Sequence, residues 1–128
     1  VDGTRLPVEQ WLPAPSQGAV GIETLAENSD IRALISGIDH RPTSACVAAE
    51  RSMLLALGGN CHSPVAALAR LSEMGIWLRA SLYSEDGRDR ISDQIDFAIN
   101  DTGAPARLAA DLLATAPASI ARLFTPPA

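Results

Sequence analysis

Lysine is absent from this 128-residue chain; all ten basic residues are arginine. Fifteen acidic residues leave a net charge of −5, which argues against a nucleic-acid partner, because backbone phosphates call for a basic surface. No apolar run approaches the roughly 18 residues of a bilayer span, so no membrane partner is expected. Two cysteines, Cys46 and Cys61, are too few for a disulfide framework, and their separation fits no zinc spacing. With only two histidines, His40 and His62, no metal site is expected. The opening residues lack a basic-then-apolar leader, and the expectation is a reduced, cytoplasmic protein. Asn100-Asp101-Thr102 fits a glycosylation sequon; in that setting it is expected to be a helix-capping turn.

What is present is the composition of one globular domain: 47% hydrophobic and 20% charged residues. Residues 1–18 are irregular and proline-rich, with 6–12 read as a short extended segment. Residues 19–23 (AVGIE) read as a short strand. A helix follows, capped by Asn28 or Ser29, with Ile31, Leu34, Ile35 and Ile38 on one face. After a break at His40-Arg41-Pro42, a second helix is expected over 43–57, capped by Thr43 and carrying Cys46, Ala49, Met53, Ala56 and Leu57 as its apolar stripe. Gly58-Gly59-Asn60 stops it. Strand candidates are 65–71, whose alanines fit a helix as well, 76–83 and 90–99, the last two joined by a turn at Glu85-Asp86-Gly87. Helices over 104–116 and after Pro117 close the chain. The class is therefore α+β: a three-stranded antiparallel sheet covered by helices, preceded by a strand and a helix too small to bury their own apolar faces.

The loop Gly58-Gly59-Asn60-Cys61-His62-Ser63-Pro64 is where chemistry is most plausibly sited. Glycines ahead of a cysteine remove bulk, so that a large group can approach the sulfur, and Pro64 stiffens the exit. A cysteine in an ordinary helix-stop loop fits the same pattern, so the spacing alone leaves both readings open. Cys46 lies on the apolar stripe and reads as a core thiol. Arg79, Arg88 and Arg90 flank a hairpin and read as a solvated face.

Residues 13–64 resemble the porphobilinogen deaminase (hydroxymethylbilane synthase) family. Residues 13–23, PAPSQGAVGIE, are similar to its P-A-x-G-Q-G-A-x-G-I-E segment. Ala49-Glu50-Arg51 and the later Leu57-Gly58-Gly59-Asn60-Cys61-His62-Ser63-Pro64 resemble its A-E-R and L-x-G-x-C-x-x-P motifs, in the same order and at the same spacing. Ser16 stands where the family usually has Gly, and Asn60 where Gly is common.

The resemblance implies a transferase of tetrapyrrole (haem) biosynthesis that joins four porphobilinogen molecules into hydroxymethylbilane with release of ammonia. Its cofactor, a dipyrromethane, would be held by a thioether to Cys61, and the growing polypyrrole chain would be its partner. No catalytic residue is expected in this stretch, because the family places its substrate-gripping arginines and catalytic Asp in two larger upstream domains. Residues 1–41 are then a remnant of those domains, and 42–128 the C-terminal cofactor-carrying domain. Alone, the chain is expected to be inactive, without the cofactor where its assembly needs those same upstream domains, and to pair with a second copy through residues 1–40. Gln17 could contact the bound chain or serve as a hinge. His62 could act as a local acid or base, and Glu50-Arg51 could tie the helix to a neighbouring domain. The competing reading is a non-catalytic α+β module, descended from that domain, that binds a ligand or partner.

Overall fold

The computed structural model describes residues 3–125; the outermost residues of the expected 1–41 and 42–128 units lie outside that range. The elements run α1 (Ser29–Ser36), α2 (Arg41–Ala56), β1 (Val65–Leu71), β2 (Ile76–Tyr83), β3 (Arg90–Phe97), α3 (Ala104–Thr115) and α4 (Ala118–Ala121). The sheet order is β1-β2-β3, antiparallel throughout, with Ala67 opposite Ala80 and Ala80 opposite Asp93. Strand alternation puts Ala67, Ala69, Leu78, Ala80 and Leu82 on the face that meets the helices, and all are buried. The helices supply Met53, Leu57, Leu108, Leu112 and Ile120 to the same core. α2 lies on β1 and α3 on β3, and the two helices pack against each other. This is the expected α+β architecture.

The first helix starts as its sequence suggests: the Asn28 side chain accepts the Ile31 N–H at 3.3 Å. α2 differs from expectation at its start. It begins at Arg41 rather than Thr43, because Pro42 sits in the first turn, where a missing N–H costs nothing. The Thr43 hydroxyl instead meets the His40 ring at 2.8 Å.

Residues 19–23 form no strand. Val20 is 91% exposed, and a strand exists only where a second backbone pairs with it. Residues 6–12 are likewise not extended: the N–H groups of Gln10 and Trp11 both bond the Pro7 carbonyl. Asp101 does not occupy the N-cap position of α3, which is Gly103. It accepts the Gly103 N–H at 3.3 Å and pairs with Arg107 at 2.6 Å, so the sequon residues are a turn that braces the helix start.

Candidate functional site

Cys61 owes its position to the way α2 ends. Gly58 takes φ 66°, donates to the Leu55 carbonyl at 2.9 Å, and is followed by Gly59, whose N–H reaches the Leu54 carbonyl at 2.9 Å. These paired bonds close the helix and turn the chain away. A Cβ on Gly59 would lie 2.5 Å from Cδ1 of Leu54 and 3.2 Å from the Leu54 carbonyl oxygen, so any larger residue there makes the Leu54 side chain shift. Next comes a turn built by Asn60. Its backbone N–H donates to Ser63 Oγ at 2.9 Å, and its side-chain carbonyl accepts the His62 N–H at 2.8 Å. The Ser63 N–H returns to the Asn60 carbonyl at 3.1 Å, and Pro64 O accepts the Tyr83 N–H at 3.0 Å, pinning the exit to β2. Cys61 is exposed at the crest of this turn, and none of the bonds that hold the turn uses its sulfur.

The other expected residues are distributed elsewhere. Cys46 is half-buried against the core rather than enclosed, since its place near the start of α2 leaves one side open. Burial pushes its thiol pKa up, and the nearby Glu50 carboxylate adds to the shift. The Gln17 side chain accepts the Ala14 N–H at 3.0 Å and so shapes its own turn. His62 is exposed, bonded through its backbone to Asn60. Arg90 lies over the Tyr83 ring, 5.8 Å from its centre, and donates to Ser92 at 3.0 Å. Arg79 reaches the Glu9 carbonyl at 3.3 Å, and Arg88 pairs with Asp86 at 3.5 Å. Among the described residues no group of three or more His, Cys, Asp or Glu side chains gathers as for a metal ion.

Sequence reasoning had Glu50 as part of a tie to a neighbouring domain but missed that it works through two backbone N–H groups. Its carboxylate is 6% exposed and accepts two backbone N–H groups, from Ser16 at 2.6 Å and from Ala69 at 2.7 Å. Burial raises its pKa above the ordinary value of 4.5, and the two N–H bonds pull only partly back. The folded protein therefore holds that proton more tightly than the unfolded chain, so ionising Glu50 costs stability as pH rises above about 4.5. A cleft of about 410 Å³ lies beside it, lined by Gln17, Cys46, Glu50 and Ala69. A larger open cleft of about 1050 Å³ separates residues 19–26 and α1 from α2. Cys61 lines neither cleft.

Ser16 holds φ 63°, the only positive value at a non-glycine residue among those described. That explains why glycine is usual at this place in the similar segment. Ser16→Gly is expected to raise stability by about 1 kcal/mol. The exposed contact from Arg51 Nε to Ser16 Oγ at 3.3 Å that it sacrifices is worth little. Urea denaturation measures the difference, and a less stable variant would refute the strain.

Residues 44–115 match the family model described as "Porphobilinogen deaminase, C-terminal domain". The chain is 48% identical over 125 residues to a porphobilinogen deaminase of Sphingopyxis alaskensis, an alignment covering 97% of this chain and 38% of that protein. A porphobilinogen deaminase of Xylella fastidiosa is 40% identical over 120 residues, covering 83% of this chain and 39% of the relative. One from Xanthomonas oryzae pv. oryzae is 48% identical over 85 residues, 66% of this chain and 28% of the relative. The chain thus spans well under half the length of the curated relatives it matches.

Proposed function

The chain belongs to the porphobilinogen deaminase family, and from that premise we propose that it is the cofactor-carrying part of a hydroxymethylbilane synthase, with Cys61 as the anchor. In this reading residues 42–128 are the cofactor-carrying unit and residues 1–41 belong with upstream domains. The parent enzyme is a cytoplasmic transferase that joins four porphobilinogens with release of ammonia. The observation that carries the reading is the exposed Cys61 thiol on a turn tied down on both sides by backbone bonds.

The residues present suit an anchor. Gly58 and Gly59 keep bulk away from the approach to the sulfur, and Asn60 and Ser63 hold the turn without drawing on it. When bound, the dipyrromethane supplies the carbon terminus from which a polypyrrole chain is extended. What this chain contributes is position: the pinning of Pro64 to Tyr83 fixes the root of the loop, and Cys61 stands beyond it. The groups that grip substrate carboxylates and move protons are assigned to the upstream domains, so this chain alone has no turnover.

Mass spectrometry of the full-length protein made in a tetrapyrrole-producing host tests the anchor. Cleavage after arginine releases residues 52–70, which carry Cys61 without Cys46. That peptide is expected to bear the added mass of a dipyrromethane. An unmodified 52–70 peptide, or the adduct on the Cys46 peptide, overturns the assignment.

The proposal extends to the partner of residues 1–40. No residue of α1 is buried, and Leu34 and Ile38 are 72% and 70% exposed. Burying each side chain fully would gain about 1.5–3 kcal/mol. In the isolated chain this face is expected to meet a second copy in a symmetric dimer. Light scattering that gives the monomer mass at high protein concentration rules the dimer out.

A further inference from the structure

β1 is an edge strand with the sequence VAALARL, and its single charge, Arg70, comes late. Such an edge, with unpaired N–H groups, needs protection. The chain supplies it from two places. The Ala67 N–H donates to the Pro13 carbonyl at 2.9 Å, and two residues along the same edge the Ala69 N–H donates to the Glu50 carboxylate at 2.7 Å. The other oxygen of that carboxylate takes the Ser16 N–H at 2.6 Å. Glu50 therefore bonds a sheet edge and a segment 34 residues upstream at once, and Arg51 on the next position adds its contact to Ser16 Oγ. Further back, Glu9 pairs with Arg70 at 3.0 Å and its carbonyl receives Arg79.

We propose that residues 9–17 are a strap across the open edge of β1, and that Glu50 is the positioning residue that fastens it. The fastening is a single side chain with two backbone donors. Losing it strips both N–H groups of their acceptor together and leaves the Pro13 carbonyl, the exposed Glu9–Arg70 pair and the long contacts of Arg79 to the Glu9 carbonyl and Arg51 to Ser16 Oγ to hold the strap. Surface pairs of that kind are weak. On the same helix Met53 and Leu57 are fully buried apolar anchors, so α2 has its own hold on the core. The strap leads into α1 and the residues before it, so its fastening fixes how the 1–41 segment sits on the unit that carries Cys61.

Hydrogen exchange of the whole chain, read by mass spectrometry, tests this without any cofactor, so its outcome is independent of the role of Cys61. In Glu50→Ala, peptides containing residues 13–18 and 66–70 are expected to exchange at least about tenfold faster, while β2 and α3 keep their protection. Glu50→Gln retains one good acceptor and is expected to fall between wild type and Ala. Two results overturn the proposal: unchanged exchange at 13–18 and 66–70, or a loss of protection shared equally by β2 and α3. If the alanine variant does not fold, the glutamine variant decides by the same two criteria.

Discussion

Replacing Cys61 by Ser in the full-length protein is expected to abolish hydroxymethylbilane formation, by at least about three orders of magnitude, while leaving the fold intact. The size of the loss follows from chemistry. A thiol is a soft and strong nucleophile, whereas a serine hydroxyl without an adjacent base is a poor one. Removing the group on which a covalent pathway depends costs on the scale of thousands-fold or more. The indifference of the fold follows from geometry. Cys61 is exposed, and the turn around it is held by the Asn60 side chain, the Ser63 hydroxyl and the Pro64 carbonyl. Stability should therefore change by no more than about 0.5 kcal/mol. In the isolated chain, where no cofactor occupies the sulfur, the same placement predicts that a maleimide labels Cys61 quickly and Cys46 slowly, since Cys46 is half-buried with its thiol pKa pushed up. Activity in the serine variant would mean that the sulfur is not an anchor, and a variant that unfolds would mean that the turn does depend on Cys61.

The Cys61 turn was legible because two glycines and an asparagine are local instructions: the helix-closing bonds to Leu54 and Leu55 need nothing from the rest of the chain. β2, β3 and the stripes of α2 and α3 were legible because alternation and helical spacing record which face is buried, whereas the alanine-rich β1 does not alternate and fitted a helix as well. The segment 19–23 shows the limit of that record. Its pattern is that of a strand, but pairing is a property of two backbones, and none is beside it here. Glu50 was legible only in part. Its place beside Arg51 in the family motif suggested a tie from the helix to a neighbouring domain, but nothing local says that its acceptors meet backbone N–H groups 34 and 19 residues away. Ser16 lay between these cases. Its departure from the usual glycine was visible, but its cost was not until the backbone showed φ 63°.

The largest loss of stability from one added methyl group is expected at Gly75, in the β1–β2 turn. Ser72 and Gly75 bond each other through both backbones, N–H of Ser72 to the Gly75 carbonyl at 3.1 Å and the reverse at 3.3 Å. Gly75 has φ +139°, a region that residues with a side chain rarely enter, which alone costs about 1–3 kcal/mol. A Cβ there would also lie 2.6 Å from the Phe97 carbonyl oxygen and 2.7 Å from the Ile99 nitrogen. Those are backbone atoms at the end of β3, fixed by the pairing of Ile76 with Phe97, and they cannot swing aside as a side chain would. Relief requires pulling the turn off β3, which unseats Ile76 and Phe97, both nearly fully buried. Gly75→Ala is therefore expected to cost about 3–5 kcal/mol, a large share of the total for a domain this size. In urea the midpoint should fall by more than about 1 M. A shift of a few tenths of a molar would mean that the turn can move away from β3 without disturbing the sheet.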